Sequence, residues 1–452
     1  MPARPWPDVR ALALPDIRHC LDGGRPSVIG TCAADGTPNA SVISDVRYVD
    51  ESHVALSFQF FNKTHANIRA NPQALLQVAD PQRGARYHLE VRYLRTETEG
   101  PLFEAMKAKL AGIASHVGMT DVFRLRGADV YAVLDVRCVV GEAVSQARGD
   151  ALLSALRTGL PSLRAAADFT ELIDHLLTAT SRMGFAQGML LSADERRQRL
   201  FTVGSTGYPA TGVGAEIAYG EGVIGVAARE RTPIRITHMA RDYLYGSVVR
   251  EQFRAAEGEA GLDREIPLPG LADSRSQLAM PIVGEARLLG VLYIESPVDG
   301  GISQADEEAC AVLGDQFADC WLRLSSLELQ AGEELADADA RASVGGEPLH
   351  VSHDPSDHSV FIDNEYLIKG VAGAVLWRML GDYVGSRRVV FTNRELRRDP
   401  RLGLPEIADN LEARLVLLQR RLAERRPELL LRKIGRGRYQ LQVDRPVRLL
   451  PA

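Results

Sequence analysis

"DNLEARLVLLQRRLAERRPELLLRKIGRGRYQLQV", residues 409–443, decides how the end of this chain folds. Its first half repeats leucine at Leu411, Leu415, Leu418 and Leu422, the spacing of one helix face. Asn410, Arg414, Arg421 and Arg425 fall on an adjacent face, and Pro427 ends the helix. "LLLRKIGRGRYQLQV" then runs strand, glycine turn, strand, with Gly435 and Gly437 supplying the freedom a tight turn needs. Arg432, Lys433, Arg436 and Arg438 crowd that turn.

Just upstream, "VAGAVLWRMLGDYV" (371–384) places Val371, Val375, Leu376, Met379 and Leu380 on one helical face. "NREL" (393–396) opens a short helix, with Asn393 as its expected cap. Helix, short helix, basic helix and basic hairpin resemble, over residues 359–452, the C-terminal effector domain of OmpR/PhoB-type response regulators, a winged helix-turn-helix. The resemblance implies that the basic helix enters the major groove of double-stranded DNA and that the hairpin is the wing. It implies Asn410, Arg414, Arg421, Arg425, Arg432, Lys433, Arg436 and Arg438 as DNA-binding residues. No receiver domain with an acidic phosphorylation pocket precedes the effector, so another kind of input must drive it. A merely solvated basic face and a winged helix that binds protein are the alternatives.

Composition frames this reading. The chain has 452 residues, 45% hydrophobic and 25% charged, enough for two to four globular domains. Its net charge is −6, which argues against a surface that is wholly a nucleic-acid glove. Residues 361–452 hold 19 Lys and Arg against 11 Asp and Glu, a balance of +8 that leaves −14 on the rest. A basic module on an acidic body points to polyanion binding by that module. The cysteines Cys20, Cys32, Cys138, Cys310 and Cys320 are odd in number and widely spaced, with no CxxC. Neither a disulfide framework nor a metal motif is signalled. No apolar run reaches the roughly 18 residues of a membrane span, and "MPARPWPDVR" lacks a signal-peptide core. A cytoplasmic protein without membrane contact is expected.

The first 150 residues are rich in short strands. "SVIGTCAADGTPNASVISDVRYVDESHVALSFQF" (27–60) contains turn signals at Asp35-Gly36 and Asp50-Glu51-Ser52, with β-branched runs between them. Further strands are expected at 74–79, 87–97 and 128–140, which suggests a small barrel. "VIGTCAADGTPNASVI" and "LSFQFFNKTHANIRANP" resemble the FMN-binding split barrel of the pyridoxamine 5'-phosphate oxidase family. By position, the resemblance implies Ser41, Val42, Ile43 and Ser44 at the flavin edge and Ser57 and Gln59 on the next strand. Lys63 and Thr64 are implied at the phosphate, where a cation and a hydroxyl at a helix start suit a dianion. The sequence departs from the family's oxidases. Ser41 stands near the place of an arginine, and the C-terminal substrate segment is absent, which argues against pyridoxal phosphate synthesis. FMN, haem or another cofactor, and an empty dimerisation module all remain open. His53, His65 and His88 are the histidines that haem would use.

Residues 151–325 read as an α+β domain. A helix is expected at 171–183, strands at 186–192, 199–204, 276–283 and 288–296, and a helix within 219–231. Ser303 with Asp306 starts a long helix. "GEGVIGVAARERTPIRI" (220–236) and "SQLAMPIVGEARLLGVLYIESP" (276–297) resemble a GAF domain, an α/β sandwich that senses small molecules. The resemblance implies a ligand pocket, with Ile224, Arg235, Tyr243, Tyr245 and Met280 as candidate lining. Residues 326–358 read as a linker with a helical first half.

The expected architecture is thus a multidomain α+β chain: split barrel (1–150), GAF domain (151–325), linker (326–358) and winged helix (359–452). The function that follows is a one-component transcription regulator. It would sense a redox state or small-molecule effector and bind DNA as a homodimer. An FMN-dependent oxidoreductase with regulatory modules and a non-catalytic signalling scaffold are the rivals. The barrel segment shows no Ser-His-Asp order, HExxH or P-loop to support a catalytic assignment.

Overall fold

The computed structural model describes residues 12–21, 27–43, 45–58, 63–80, 84–116, 125–140, 149–237, 266–330, 346–402 and 411–450. The first unit comprises β1 (Ser27–Cys32), β2 (Pro38–Ile43), β3 (Val46–Asp50), β4 (His53–Phe58), β5 (Gln73–Ala79), β6 (Arg86–Glu97) and β7 (Gly127–Val140). They form one antiparallel sheet in the order β2-β1-β5-β6-β7-β4-β3. Ile29, Leu56, Leu76, Tyr87, Leu89, Val91 and Tyr131 all pack into one core, so the sheet curls around it. Alternation drives this: along β6, Tyr87, Leu89 and Val91 point inward while Arg86, Glu90 and Arg92 point out. Helix α1 (Lys63–Ala70) follows β4, and a 3₁₀ helix, Leu14–Leu21, lies on the core.

A second helix, α2 (Pro101–His116), leaves the barrel between β6 and β7. It was not legible from the sequence. Met106 packs with Ala55 and Ala128 of the barrel, whereas Ala108 packs into the next unit.

That next unit comprises α3 (Gly149–Ala165), α4 (Phe169–Arg182), β8 (Gln187–Asp194), β9 (Arg199–Thr206), β10 (Glu216–Ala218), α5 (Gly222–Glu230), β11 (Ile234–Ile236), β12 (Ser276–Gly284), β13 (Arg287–Ser296) and α6 (Gln304–Gln330). The sheet runs β10-β9-β8-β13-β12-β11. One face packs on α3, α4 and α6. The other packs on α5 and on the barrel's α2. Covered on both sides, β12 and β13 carry near-continuous apolar runs. Helix α6 starts with the expected reciprocal cap: the backbone N–H of Ser303 donates to Asp306 Oδ2 (2.7 Å) and the N–H of Asp306 to Ser303 Oγ (3.3 Å).

The C-terminal unit starts earlier than expected. Strand β14 (Leu349–Asp354), within the segment read as linker, pairs with β15 (Ser359–Ile362) and in parallel with a far strand. Leu349 and Val351 are fully buried, which is why this stretch is a strand and not a tether. Then follow β16 (Glu365–Ile368), α7 (Gly370–Ser386), β17 (Val390–Thr392), α8 (Asn393–Arg398), α9 (Leu411–Arg425), β18 (Leu429–Gly435), β19 (Arg438–Val443) and β20 (Val447–Leu449). The sheets are β16-β15-β14-β20 and β17-β19-β18. The leucine stripe of α9 is buried throughout. Thr392, not Asn393, caps α8: its hydroxyl accepts the N–H of Glu395 at 3.2 Å. Asn393 instead turns inward, donating to Glu412 (2.8 Å) and Glu328 (3.1 Å). One apolar cluster runs from α4 and α6 through α9 into the C-terminal sheets. Among the described residues, no helix is long and apolar enough to cross a membrane.

Candidate functional site

In the barrel, the period of β2 sends Asn39, Ser41 and Ile43 to one side and Pro38, Ala40 and Val42 to the other. Ser41 Oγ lies 2.5 Å from Thr64 Oγ1 at the start of α1, and Asn39 Nδ2 donates to Thr64 Oγ1 at 3.0 Å. Asn67 Nδ2 reaches Thr31 Oγ1 at 3.1 Å. Ser41 and Thr64 are therefore brought together, with Lys63 exposed beside them. Val42 is not: it is 69% exposed on the opposite strand face. Ser57 is used structurally, its hydroxyl accepting the N–H of Asp45 at 3.2 Å. Ser44 and Gln59 lie outside the described residues. Sequence reading missed Asn39 and Asn67; the alternation of β2 was the signal for the first.

Next to this cluster, His65 is buried and stacks on Phe58 at 4.2 Å. Its Nδ1 stands 3.6 Å from Asp129 Oδ2, and Thr96 donates to Asp129 Oδ1 at 2.5 Å. Burial pushes the Asp129 carboxyl above its ordinary range, against the opposing pull of Thr96 and His65. His53 is engaged by Asp50 (2.8 Å) and His88 by Gln77 (3.2 Å). The hydroxyl, amide and lysine donors at the head of α1 fit a phosphate-bearing cofactor such as FMN.

In the second unit the proposed lining divides between two faces. Ile224 lies on the α5 face, but Met280 packs on the α4–α6 side. Arg235 also faces that side, donating to Glu307 of α6 at 2.7 Å. Tyr243 and Tyr245 lie outside the described residues. A polar cluster that the sequence reading passed over occupies the α5 face. Glu295 is 2% exposed, accepts the N–H of Leu271 (2.8 Å) and takes the Tyr293 hydroxyl (3.3 Å). Gln277 donates to Ser274 nearby at 3.2 Å. Burial raises the Glu295 carboxyl above its ordinary range. Burial, then the Glu295 charge, raises the hydroxyl of Tyr208. A carboxylate closing an otherwise apolar strand, "LLGVLYIES", was the available signal.

Of the arginines of α9, Arg414 and Arg421 are buried, Arg420 is half-buried and Arg425 is exposed. Arg414 is buried, pairs with Asp194 of β8 at 2.5 Å and lies 3.9 Å over the Phe201 ring. Arg420 reaches Asp174 of α4 (2.5 Å) and the Val203 carbonyl (3.1 Å). Arg421 is buried against its own unit, donating to the Leu367 carbonyl at 2.9 Å, and burial lowers its pKa. Arg425, Arg432 and Arg436 are exposed, Arg438 is half-buried, and Lys433 pairs with Glu328 of α6. Asn410 lies outside the described residues. The helix period put Asn410, Arg414, Arg421 and Arg425 on one face; in the fold Arg414 meets Asp194 of β8, Arg421 the Leu367 carbonyl of its own unit, and Arg425 solvent.

Residues 14–134 match the family model of pyridoxamine 5'-phosphate oxidase, and residues 166–321 match that of the GAF domain. The chain is therefore a mixed α/β multidomain protein with a split barrel of the first type followed by a GAF domain. No curated protein matches it. Similar solved structures include an FMN-binding protein from Syntrophomonas wolfei subsp. wolfei, at 16% identity, covering 28% of this chain and 87% of that one, TM-score 0.25. A second is the GAF domain of an Acinetobacter phosphoenolpyruvate-protein phosphotransferase, at 17% identity, covering 39% and 95%, TM-score 0.30. A third is the free methionine-R-sulfoxide reductase of Neisseria meningitidis, at 14% identity, covering 39% and 92%, TM-score 0.30.

Proposed function

We infer that the chain is a sensory regulator in which the barrel and GAF domain control DNA binding by the C-terminal unit. The observation that carries this reading is the clasp on α9, where Asp194 and Asp174 of the GAF domain hold Arg414 and Arg420. The order α7, α8, α9 and a basic hairpin, with β17 as third strand, supports a winged helix-turn-helix. In this reading the described arrangement is the DNA-incompetent one. An effector that favours release of α9 shifts the population toward the competent one. A coupling of about 1–3 kcal/mol suffices. In the barrel, Lys63, Thr64, Ser41 and Asn39 would hold the phosphate of FMN, whose ring supplies a redox-sensitive signal when bound. Exposed Val42, Leu75 and Leu134 on the barrel support a homodimer.

The test is titration of the full-length protein with its own upstream duplex across a salt series. Binding should fall steeply with salt and weaken in Arg436→Ala with Arg438→Ala. Asp194→Asn with Asp174→Asn should tighten it roughly fivefold or more, the scale of such a coupling. Absence of DNA binding even in the aspartate variant, or indifference to the wing substitutions, would sink the reading.

A further inference from the structure

We propose that His19, Cys20 and Asp80 form a binding site for a transition-metal dication of the zinc class. The site stands apart from the cofactor cluster, the GAF polar cluster and the α9 clasp, and does not depend on the regulator reading.

The 3₁₀ helix Leu14–Leu21 buries Leu14, Ile17, Cys20 and Leu21 in the barrel core. That burial fixes His19 and Cys20 over the end of β5. Asp80 follows β5, its N–H donating to the Ala85 carbonyl (2.7 Å) and its carbonyl accepting from the N–H of Gly84 (3.0 Å). Asp80 is 2% exposed and Cys20 5%. His19 Nε2 lies 3.3 Å from Asp80 Oδ2 and 3.4 Å from Cys20 Sγ. The three donor atoms all stand within 4.8 Å of one another.

One ring nitrogen faces both partners, so the three donor atoms converge on one point. A nucleophile relay would place sulfur and carboxylate on opposite nitrogens of the imidazole, as a Cys–His–Asp triad does. Here they converge. Nε2 carries either a proton or a lone pair. Protonated, it donates to Asp80, with the Cys20 sulfur beside it as a weak second acceptor. Deprotonated, it accepts from the thiol but opposes the lone pairs of the carboxylate. A dication at the centre draws on all three donors at once. Tetrahedral bonds of about 2.0 Å to nitrogen and oxygen and about 2.3 Å to sulfur put neighbouring donors roughly 3.3–3.5 Å apart. The two His19 separations meet that spacing without movement. Mixed nitrogen, sulfur and oxygen ligation suits zinc-class ions, and three protein ligands leave a fourth position for water or an outside ligand.

On binding, Cys20 exchanges its S–H bond for an S–metal bond and one proton leaves to solvent. Affinity should therefore rise with pH. The neighbouring Arg18 joins the barrel to the GAF helix α6 through Gln304 (2.8 Å) and Glu308 (2.7 Å). Metal occupancy would thus stiffen the segment that carries that clamp. No sequence motif announces the site, because two adjacent ligands meet a third from 61 positions away.

The experiment uses the full-length, tag-free protein stripped with chelator and titrated with Co²⁺, then Zn²⁺. The expected result is one equivalent of Co²⁺ with visible bands of a four-coordinate ion and a near-ultraviolet thiolate-to-cobalt band, displaced by Zn²⁺. Cys20→Ser should abolish the thiolate band. Asp80→Asn should keep that band but weaken binding tenfold or more. Cys32→Ser should change neither. Far-ultraviolet circular dichroism confirms that each variant is folded. No stoichiometric binding by the folded protein, or a thiolate band that persists in Cys20→Ser, overturns the site.

Discussion

At Glu295 the physics of a single residue makes a pH prediction. Burial raises its carboxyl above the ordinary range in the folded chain. The neutral form is therefore favoured by folding, and stability falls as pH rises from the unfolded value of about 4.3 through the folded one. Each unit of elevation corresponds to ~1.4 kcal/mol. Glu295→Gln keeps the shape and removes the titration. Its melting temperature should exceed that of the native chain increasingly as pH rises above the ordinary glutamate range, and then level off. A constant difference from acid to neutral pH would show that Glu295 is not buried as a neutral acid. This residue was readable in principle, as the one carboxylate in an apolar strand. Asp194 was not: nothing in its own neighbourhood says that an arginine 220 positions later will cover it.

At the scale of elements, caps and packing faces separate what was legible from what was not. Strands β5, β6, β12 and β13 were legible because alternation or continuous apolarity marks them. Helix α2 was hidden because its apolar residues serve two partners, Met106 the barrel and Ala108 the GAF domain, so no single stripe forms. Strand β14 was hidden because its short alternation follows an acidic stretch and its parallel partner β20 lies far along the chain. Asn393 looked like a cap because asparagine favours that place; two buried carboxylates claimed it instead. The capping role passes to Thr392, and Thr392→Ala should destabilise the chain by about 0.5–2 kcal/mol. Denaturant midpoints would register this, whereas Thr392→Ser should stay near the native value.

At the scale of the molecule, the GAF domain and C-terminal unit share one core. They should therefore unfold together. Leu417 of α9 is 3% exposed within that core. Leu417→Ala should cost ~2–5 kcal/mol and shift both units alike. Trp321 reports on the GAF helix α6 and Trp377 on α7. Variants keeping one tryptophan each should show coincident transitions, moved equally by Leu417→Ala; separated transitions would show the two units to be thermally independent. Release of α9 in the regulator reading must then be a swing of intact units and not a melting of either.

Helix α2 has a practical corollary for anyone dissecting the chain. It belongs to the barrel by covalent order, yet Gly112 lets it come so near β11 that an added Cβ would sit 2.9 Å from Ile234. The hydroxyl of Ser115 accepts the N–H of Gly222 at 2.9 Å, at the very start of α5. A fragment begun at residue 149 would hold every GAF strand and still lack part of its lid. The raw patch around Val226, Ala227 and Ile234 would make such a fragment sticky. A boundary drawn ahead of residue 101 would carry β7 away from the other six strands of the barrel. Covalent order assigns α2 to the barrel, but its packing makes it part of the GAF domain as well.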